Sequence, residues 1–558
     1  MSSNRLIFGS IVILSDDAPL LRREPDQPEK DAPKPSGITT VPAGIAAIPA
    51  STNRSLNLDE ALAFLAEKFR EVAAEIKALP AESFPDDFAV VELILQPGRL
   101  NADNYPRHFF QGLNLTVLSS RYVKRRLRHL QGQSPEQPER PESSRDCLAL
   151  HLAGRKSDLA EAARKIAHLE PKAFSQMAFL EGVLLPSPEQ KVKACGVSAA
   201  DCFETVLSLL PGRDDSFPCS QFRQYAESLG FQVLDHHREI VKNTAFIPVR
   251  GPRAALVKLA EFAFVRQILD VPKMRPFRPF NPLRSLQPES ASAARPDESE
   301  PEVPPAQTSP EKPPAAGAAT APFSLPPLPE NLPDLGVAIL DGGLPPEHPL
   351  DKALKAYVKV NPEADDDPGS PEHGLAVTSA FLCGSLPRQG QAQCPYSKVT
   401  AVRVLDAESA DDAVDTFYKT LRNVKKTLET GKYKFVNLSL GPDVVVQDEH
   451  IHVWTSVIDE QAYRKGLFVT VAAGNNGLSR LDGVSPERML SARIQVPSDA
   501  VNVLSVGALD RQSDDWRRSY FSAIGPGRKP TVMKPDLVSF GGGDDEPFLV
   551  LAPSGEIQ

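Results

Sequence analysis

The sequence predicts an α/β protein: a parallel sheet with helices on both faces fills its C-terminal part, preceded by a smaller α+β module. Two observations carry the C-terminal prediction. After Pro333 five uninterrupted apolar runs recur, at 335–340, 399–405, 435–440, 468–473 and 501–506, and helical stretches at 411–428 and 454–464 lie between them. Strands buried on both faces read as continuous apolar runs, and loops at their C-terminal ends carry the chemistry of such sheets. A third observation predicts the module, where strands and helices alternate without long parallel crossovers.

Residues 1–56 form a lead. Its stretch 6–14 is apolar apart from Gly9 and Ser10 and is followed by Asp16 and Asp17, so it reads as a starting strand rather than a secretory signal. Residues 15–56, rich in proline and charge, read as irregular. The α+β module spans 57–275. It opens on an amphipathic helix at 58–79, where Leu62, Leu65, Phe69, Val72, Ala73, Ile76 and Leu79 recur at three and four and Asn57 is the expected cap. Strands are expected at 88–95, 147–152 and 245–249, and helices at 157–168 and 254–264. Arg121, Lys124, Arg125, Arg126, Arg128 and His129 offer phosphate contacts in principle, but the reading adopted is a solvated helix face. Residues 276–333 are a proline-rich linker with polyproline II character, a semi-stiff spacer. The last domain spans 334–558.

Composition limits the function. A hydrophobic fraction of 41% and a charged fraction of 24% suit a globular protein. The net charge of -10 repels nucleic acid and anionic membrane, so neither is an expected partner. With no run of membrane-spanning length, a soluble cytoplasmic protein is expected. Six cysteines without a CxxC pair read as mostly thiols, Cys383 and Cys394 being the one local pair able to bridge.

Four places in the last domain carry candidate chemistry. The first strand ends in Asp341-Gly342-Gly343, a buried carboxylate before a sharp turn; alone it equally reads as a helix cap. His373 sits in Glu372-His373-Gly374-Leu375-Ala376, where small residues let a helix pack closely and hold the ring rigidly. Ser439-Leu440-Gly441 ends a strand without bulk, an edge on which an extended peptide can pair. Ala473-Gly474-Asn475 closes another strand and offers an amide donor for an oxyanion, or else is a simple turn. None taken singly favours a catalytic role, whereas their joint order does.

That order resembles the subtilisin-like (S8) serine peptidases. The segment from Val496-Pro497-Ser498 to Ala508 and the Phe521-Ser522 turn are also similar to that family, and the resemblance covers about 334–558. It implies a subtilisin-like fold, peptide or protein substrates and no organic cofactor. Asp341 would orient the imidazole, His373 would act as general base and Asn475 as oxyanion donor, while Ser439, Leu440 and Gly441 would bind substrate backbone. The family's nucleophile lies in a Gly-Thr-Ser run absent here, after a segment that Lys534-Pro535-Asp536-Leu537 to Gly543 resembles. Ser554 lacks that pattern, so a truncated chain without hydrolytic activity is expected. The alternative is a protease-like protein that binds peptides or a partner. Tyr105-Pro106-Arg107 and 246–275 resemble N-terminal regions of bacterial intracellular members, some encoded beside AAA-type ATPases; an ATPase of that type is therefore a candidate partner, and the module a propeptide-like or recognition element. Asp365-Asp366-Asp367 is a calcium candidate, with a solvated acidic loop as the preferred reading.

Overall fold

The structure is a computed structural model that describes residues 5–8, 11–14, 58–96, 105–126, 144–194, 201–275 and 325–557, apart from 215, 368, 389, 408–412, 479–483, 529–532 and 554–556. Asn57, Arg128, His129, Cys195, Ser554, the lead from 15 to 56 and the linker from 276 to 324 lie outside the described residues. The chain divides into two compact units: Met1–Arg5, Leu14–Leu79 and Asp87–Leu185 in one, and Leu6–Ile13, Pro80–Asp86 and Pro186–Gln558 in the other. This boundary falls inside the stretch 57–275, which reads as one module in the sequence. Sheet pairing separates its halves where composition does not change.

Near the N-terminus β1 (Arg5–Phe8) and β2 (Ile11–Leu14) pair as a two-stranded ribbon. In the first unit α1 (Leu58–Ala78) buries Ala61, Leu65, Phe69, Val72 and Ile76 along one stripe. Strands β3 (Phe88–Leu95), β4 (Thr116–Arg126), β5 (Ser144–Arg155) and β6 (Leu180–Leu184) form an antiparallel sheet in the order β4-β5-β3-β6, and α2 (Lys156–Lys165) follows β5. The basic run at 121–126 is therefore a strand, not the expected helix face. Its pairing with β5 from Thr116 to Arg126 satisfies the backbone, and Tyr122 and Val123 suit a pleated surface. Arg121 donates to both carboxylate oxygens of Glu92, at 2.6 and 3.1 Å, while Lys124 and Arg125 are exposed.

The second unit begins with an antiparallel sheet of β7 (Cys202–Ser208), β8 (Gln232–Val233), β9 (Glu239–Val241), β10 (Thr244–Arg250) and β11 (Val265–Asp270), ordered β11-β7-β10-β8 with β9 also on β10. Where a helix is expected at 254–264, a 3-10 turn at Arg253–Ala255 leads into only one α-turn, Leu256–Leu259.

The larger sheet follows, with all seven strands parallel. These are β12 (Val337–Asp341), β13 (Leu354–Lys359), β14 (Val399–Arg403), β15 (Phe435–Leu438), β16 (Phe468–Ala472), β17 (Val503–Leu509) and β18 (Leu537–Phe540), ordered β13-β14-β12-β15-β16-β17-β18. Alternation along β12 assigns the layers. Val337 and Ile339 pack with Leu375 and Leu382 of α3 (Ser370–Cys383), whereas Ala338 and Leu340 share a core with Phe417 and Leu421 of α4 (Ala413–Glu429) and Trp454 and Ile458 of α5 (Val453–Lys465). Burying each large side chain contributes about 1.5–3 kcal/mol. The α4–α5 core continues into the antiparallel sheet through Cys202, Val206 and Phe246. Polar links join there as well: Tyr418 donates to Glu204 at 2.8 Å and Lys425 to Glu239 at 2.6 Å. Among the described residues no helix is long and apolar enough to cross a membrane.

Candidate functional site

Three neighbouring strands, β12, β15 and β16, end on one edge of the parallel sheet: Asp341 closes β12, Ser439–Gly441 follow directly on β15 and Ala473–Asn475 directly on β16. Parallel pairing in register aligns those ends, so three stretches far apart in sequence open into one loop cluster.

Asp341 is 2% exposed. Its Oδ1 accepts from the backbone N–H of Gly342 at 2.8 Å and from Nδ1 of His373 at 2.7 Å. A proton on Nδ1 makes Nε2 the ring nitrogen that carries the lone pair. His373 lies in the first turn of α3, and that turn is pressed against the loop after β12. A Cβ on Gly374 would come within 1.9 Å of the carbonyl oxygen of Gly343, and Gly343 itself has φ +97°, a conformation that favours glycine. The two glycines thus set the separation of Asp341 and His373.

Ser439 and Asn475 line a cavity of about 220 Å³ with Ala376 and Ala380 of α3, Ser522 and Ser539. Asn437 donates to Ser439 Oγ at 3.0 Å, and Thr470 donates to Asn437 Oδ1 at 3.1 Å, which fixes the Ser439 hydroxyl over the sheet. The backbone N–H of Asn475 donates to Gln495 Oε1 at 3.0 Å, and Gln495 Nε2 donates to Asp443 at 2.9 Å, so one buried carboxamide ties the loop after β16 to the loop after β15. Gln495 carried no signal of its own in the sequence, being one polar residue in the mixed run Arg493-Ile494-Gln495-Val496-Pro497-Ser498. Leu440 is buried in the core, 4% exposed, and leaves only its backbone to the loop.

Gly441 is already paired. After β11 the chain runs on so that Met274 bridges Pro442 in antiparallel fashion. Arg275 N–H donates to Gly441 O at 2.9 Å and Asp443 N–H to Lys273 O at 2.8 Å. A Cβ on Gly441 would meet Val496 O at 2.7 Å, and Arg275 Nη2 donates to that same carbonyl at 3.3 Å. Burial pushes the Arg275 guanidinium down to about 10, against the pull of Asp443. Nothing in the sequence of 271–275 marks this role, because it depends on an edge more than 160 residues away.

The calcium candidate has a different partner. Asp366 binds the guanidinium of Arg403, and Lys359 reaches its other oxygen at 3.2 Å. Burial opposes its charged form, but these two hydrogen bonds outweigh burial and hold the carboxyl below the usual range. Cys383 and Cys394 are not bridged, and burial pushes the Cys383 thiol up to about 12.

Residues 334–553 match the model of the Subtilase family, Peptidase_S8. Serine protease AprX of Bacillus subtilis (strain 168) is 26% identical over 218 residues, which are 36% of this chain and 46% of that protein. Thermophilic serine proteinase of Bacillus sp. (strain AK1) is 28% identical over 207 residues, 36% of this chain and 44% of that protein. The chain thus spans just under half the length of these curated relatives. Among solved structures, the prenylagaramide maturation protease PagA is similar at 17% identity and a TM-score of 0.26, over 40% of this chain and 66% of that one.

Proposed function

We propose that this chain, whose residues 334–553 form a subtilase-family domain, acts in serine-type endopeptidase chemistry, with His373 as general base, Asp341 as its orienting carboxylate and Asn475 as an oxyanion donor. In this reaction the serine hydroxyl loses its proton to His373 Nε2 as its oxygen attacks the peptide carbonyl. The imidazolium then protonates the leaving amine, and water hydrolyses the acyl-enzyme by the same proton relay. The single observation that carries the reading is the 2.7 Å bond from His373 Nδ1 to a buried carboxylate at the end of a parallel strand.

A second observation favours a regulatory reading of the same cleft. Residues 273–275 occupy the edge at Gly441–Asp443 as an added strand would, so the 186–275 sheet is proposed to block peptide entry in cis. The test is labelling of the natural protein by a serine-directed fluorophosphonate. Labelling is expected, with loss in His373→Ala and a rate lowered by about four orders of magnitude in Asp341→Asn. Undiminished labelling of His373→Ala would defeat the proposal. Absence of labelling together with retained peptide binding would establish the non-catalytic, peptide-binding alternative.

A further inference from the structure

Arg403 closes β14 directly beside Asp341 in the sheet register and is fully buried. Its guanidinium fills a cage of oxygens. Nη2 donates to the carbonyls of Asn361 and Ala364 at 2.6 and 2.9 Å and to Asp406 Oδ1 at 3.3 Å, and Nη1 binds Asp366. The far oxygen of Asp406 is held by the carboxamides of Asn423 and Asn361 at 3.1 and 3.3 Å. Two carboxylates and two backbone carbonyls facing one buried positive charge are the donor set of a hard divalent cation, supplied here with a guanidinium instead. The stem of the same side chain lies beneath Gly343, whose added Cβ would meet Arg403 Cγ and Cβ at 3.2 and 3.3 Å. The caged loop 361–367 runs straight into Ser370, whose N–H donates to Asp367 O at 3.1 Å at the start of α3. One residue therefore touches both the turn after Asp341 and the loop before His373.

We propose that Arg403 is a built-in cation and a positioning residue: it occupies a calcium-type oxygen cage and thereby fixes the His373 helix against the Asp341 turn. The positioning half rests on the protease reading of Asp341 and His373, whereas the cage half does not. With the guanidinium removed, the cage presents two carboxylates, of which Asp366 keeps its contact with Lys359, and two carbonyls, a set that Ca²⁺ completes with water.

The test uses the full chain, with thermal unfolding measured with and without millimolar Ca²⁺ or Mg²⁺, and the imidazole Nδ1–H proton of His373 followed by NMR. Wild type is expected to show a hydrogen-bonded Nδ1–H signal and no calcium dependence of its melting temperature. Arg403→Met is expected to melt about 6–20 °C lower, the range that follows from stranding the largely buried Asp406 carboxylate, Asp366 being exposed and kept by Lys359, and to shift or lose the Nδ1–H signal. Ca²⁺ is expected to restore at least half of the loss and to bring the signal back, with Mg²⁺ doing neither because it dehydrates reluctantly and demands near-ideal octahedral ligation, whereas Ca²⁺ accepts a flexible oxygen set. If Arg403→Met does not fold without added cation, recovery of its fold by Ca²⁺ carries the test, with the double variant Arg403→Met/Asp366→Asn expected to gain less from Ca²⁺ because a ligand is gone; a chain that Ca²⁺ leaves unfolded overturns the cage. A calcium effect equal in wild type and variant, or a stability loss in Arg403→Met that Ca²⁺ leaves untouched, overturns the cage. An unmoved Nδ1–H signal in a destabilised variant overturns the positioning role. A wild type lacking that signal altogether counts against the protease reading and leaves the calcium result standing.

Discussion

Replacing Glu204 with glutamine should tighten the packing of the antiparallel sheet on α4 at neutral and alkaline pH. Glu204 is 3% exposed, and its carboxylate accepts one hydrogen bond, from Tyr418 at 2.8 Å. Burial pushes its carboxyl up from 4.5 to about 7, the Tyr418 hydroxyl offsetting only part. The sign follows from which state holds the proton. Between these two values the folded protein keeps a proton that the opened chain releases, so packing weakens as pH rises from 4.5 to about 7 and stays weakened above. At about 1.36 kcal/mol per pH unit the penalty reaches about 3 kcal/mol, equivalent to about 300-fold in an opening equilibrium. Glutamine keeps the acceptor for Tyr418 and cannot ionise. Amide hydrogen exchange of β7 and α4, corrected for intrinsic rates, is expected to slow by up to that factor in Glu204→Gln at pH 8 and to match wild type at pH 4.5. Burial lowers His450 and His452 to about 4 and 3, so the folded state resists their protonation and both proteins lose stability as pH falls below 6.5; that background is shared and cancels in the comparison. An exchange ratio that is the same at both pH values would refute the reasoning.

The remaining predictions concern the cleft. Gly374→Ala drives a methyl group into the Gly343 carbonyl, and because both are backbone it is expected to cost at least about 1–3 kcal/mol, read as a lower melting temperature. Arg275→Glu replaces a buried cation that donates to Val496 O with a carboxylate placed against that carbonyl and Asp443, so residues 271–275 should leave the Gly441 edge. Limited proteolysis is expected to cut the variant within 271–275 at least tenfold faster, and unchanged cleavage would mean that the segment is held by its backbone alone.

Much of the fold was legible because its signals are local. A strand buried on both faces must be apolar at every position, and 435–440 or 468–473 shows this without reference to the rest of the chain. The basic run at 121–126 was misread for the converse reason: its strand state depends on a partner at Ser144–Arg155, across residues whose composition is uninformative. At the site, Asp341 and His373 were legible from motif and order, 32 residues apart. Gln495 was not, because a buried carboxamide acquires meaning only from the two loops it joins.

By itself the sequence determined five of the seven strands of the parallel sheet, helices between them and the strand-end positions of Asp341, Ser439 and Asn475, since hydrophobic period and strand termini are written in consecutive residues; β13 and β18, with mostly exposed or half-buried positions, carry no such run. Only the tertiary structure decided which charges meet. Arg403 faces Asp366 across 37 positions, and Arg275 reaches Val496 across 221. The physical reason is that a buried charge must be compensated by whichever group packing brings within about 3 Å, and separation along the chain places almost no constraint on that choice.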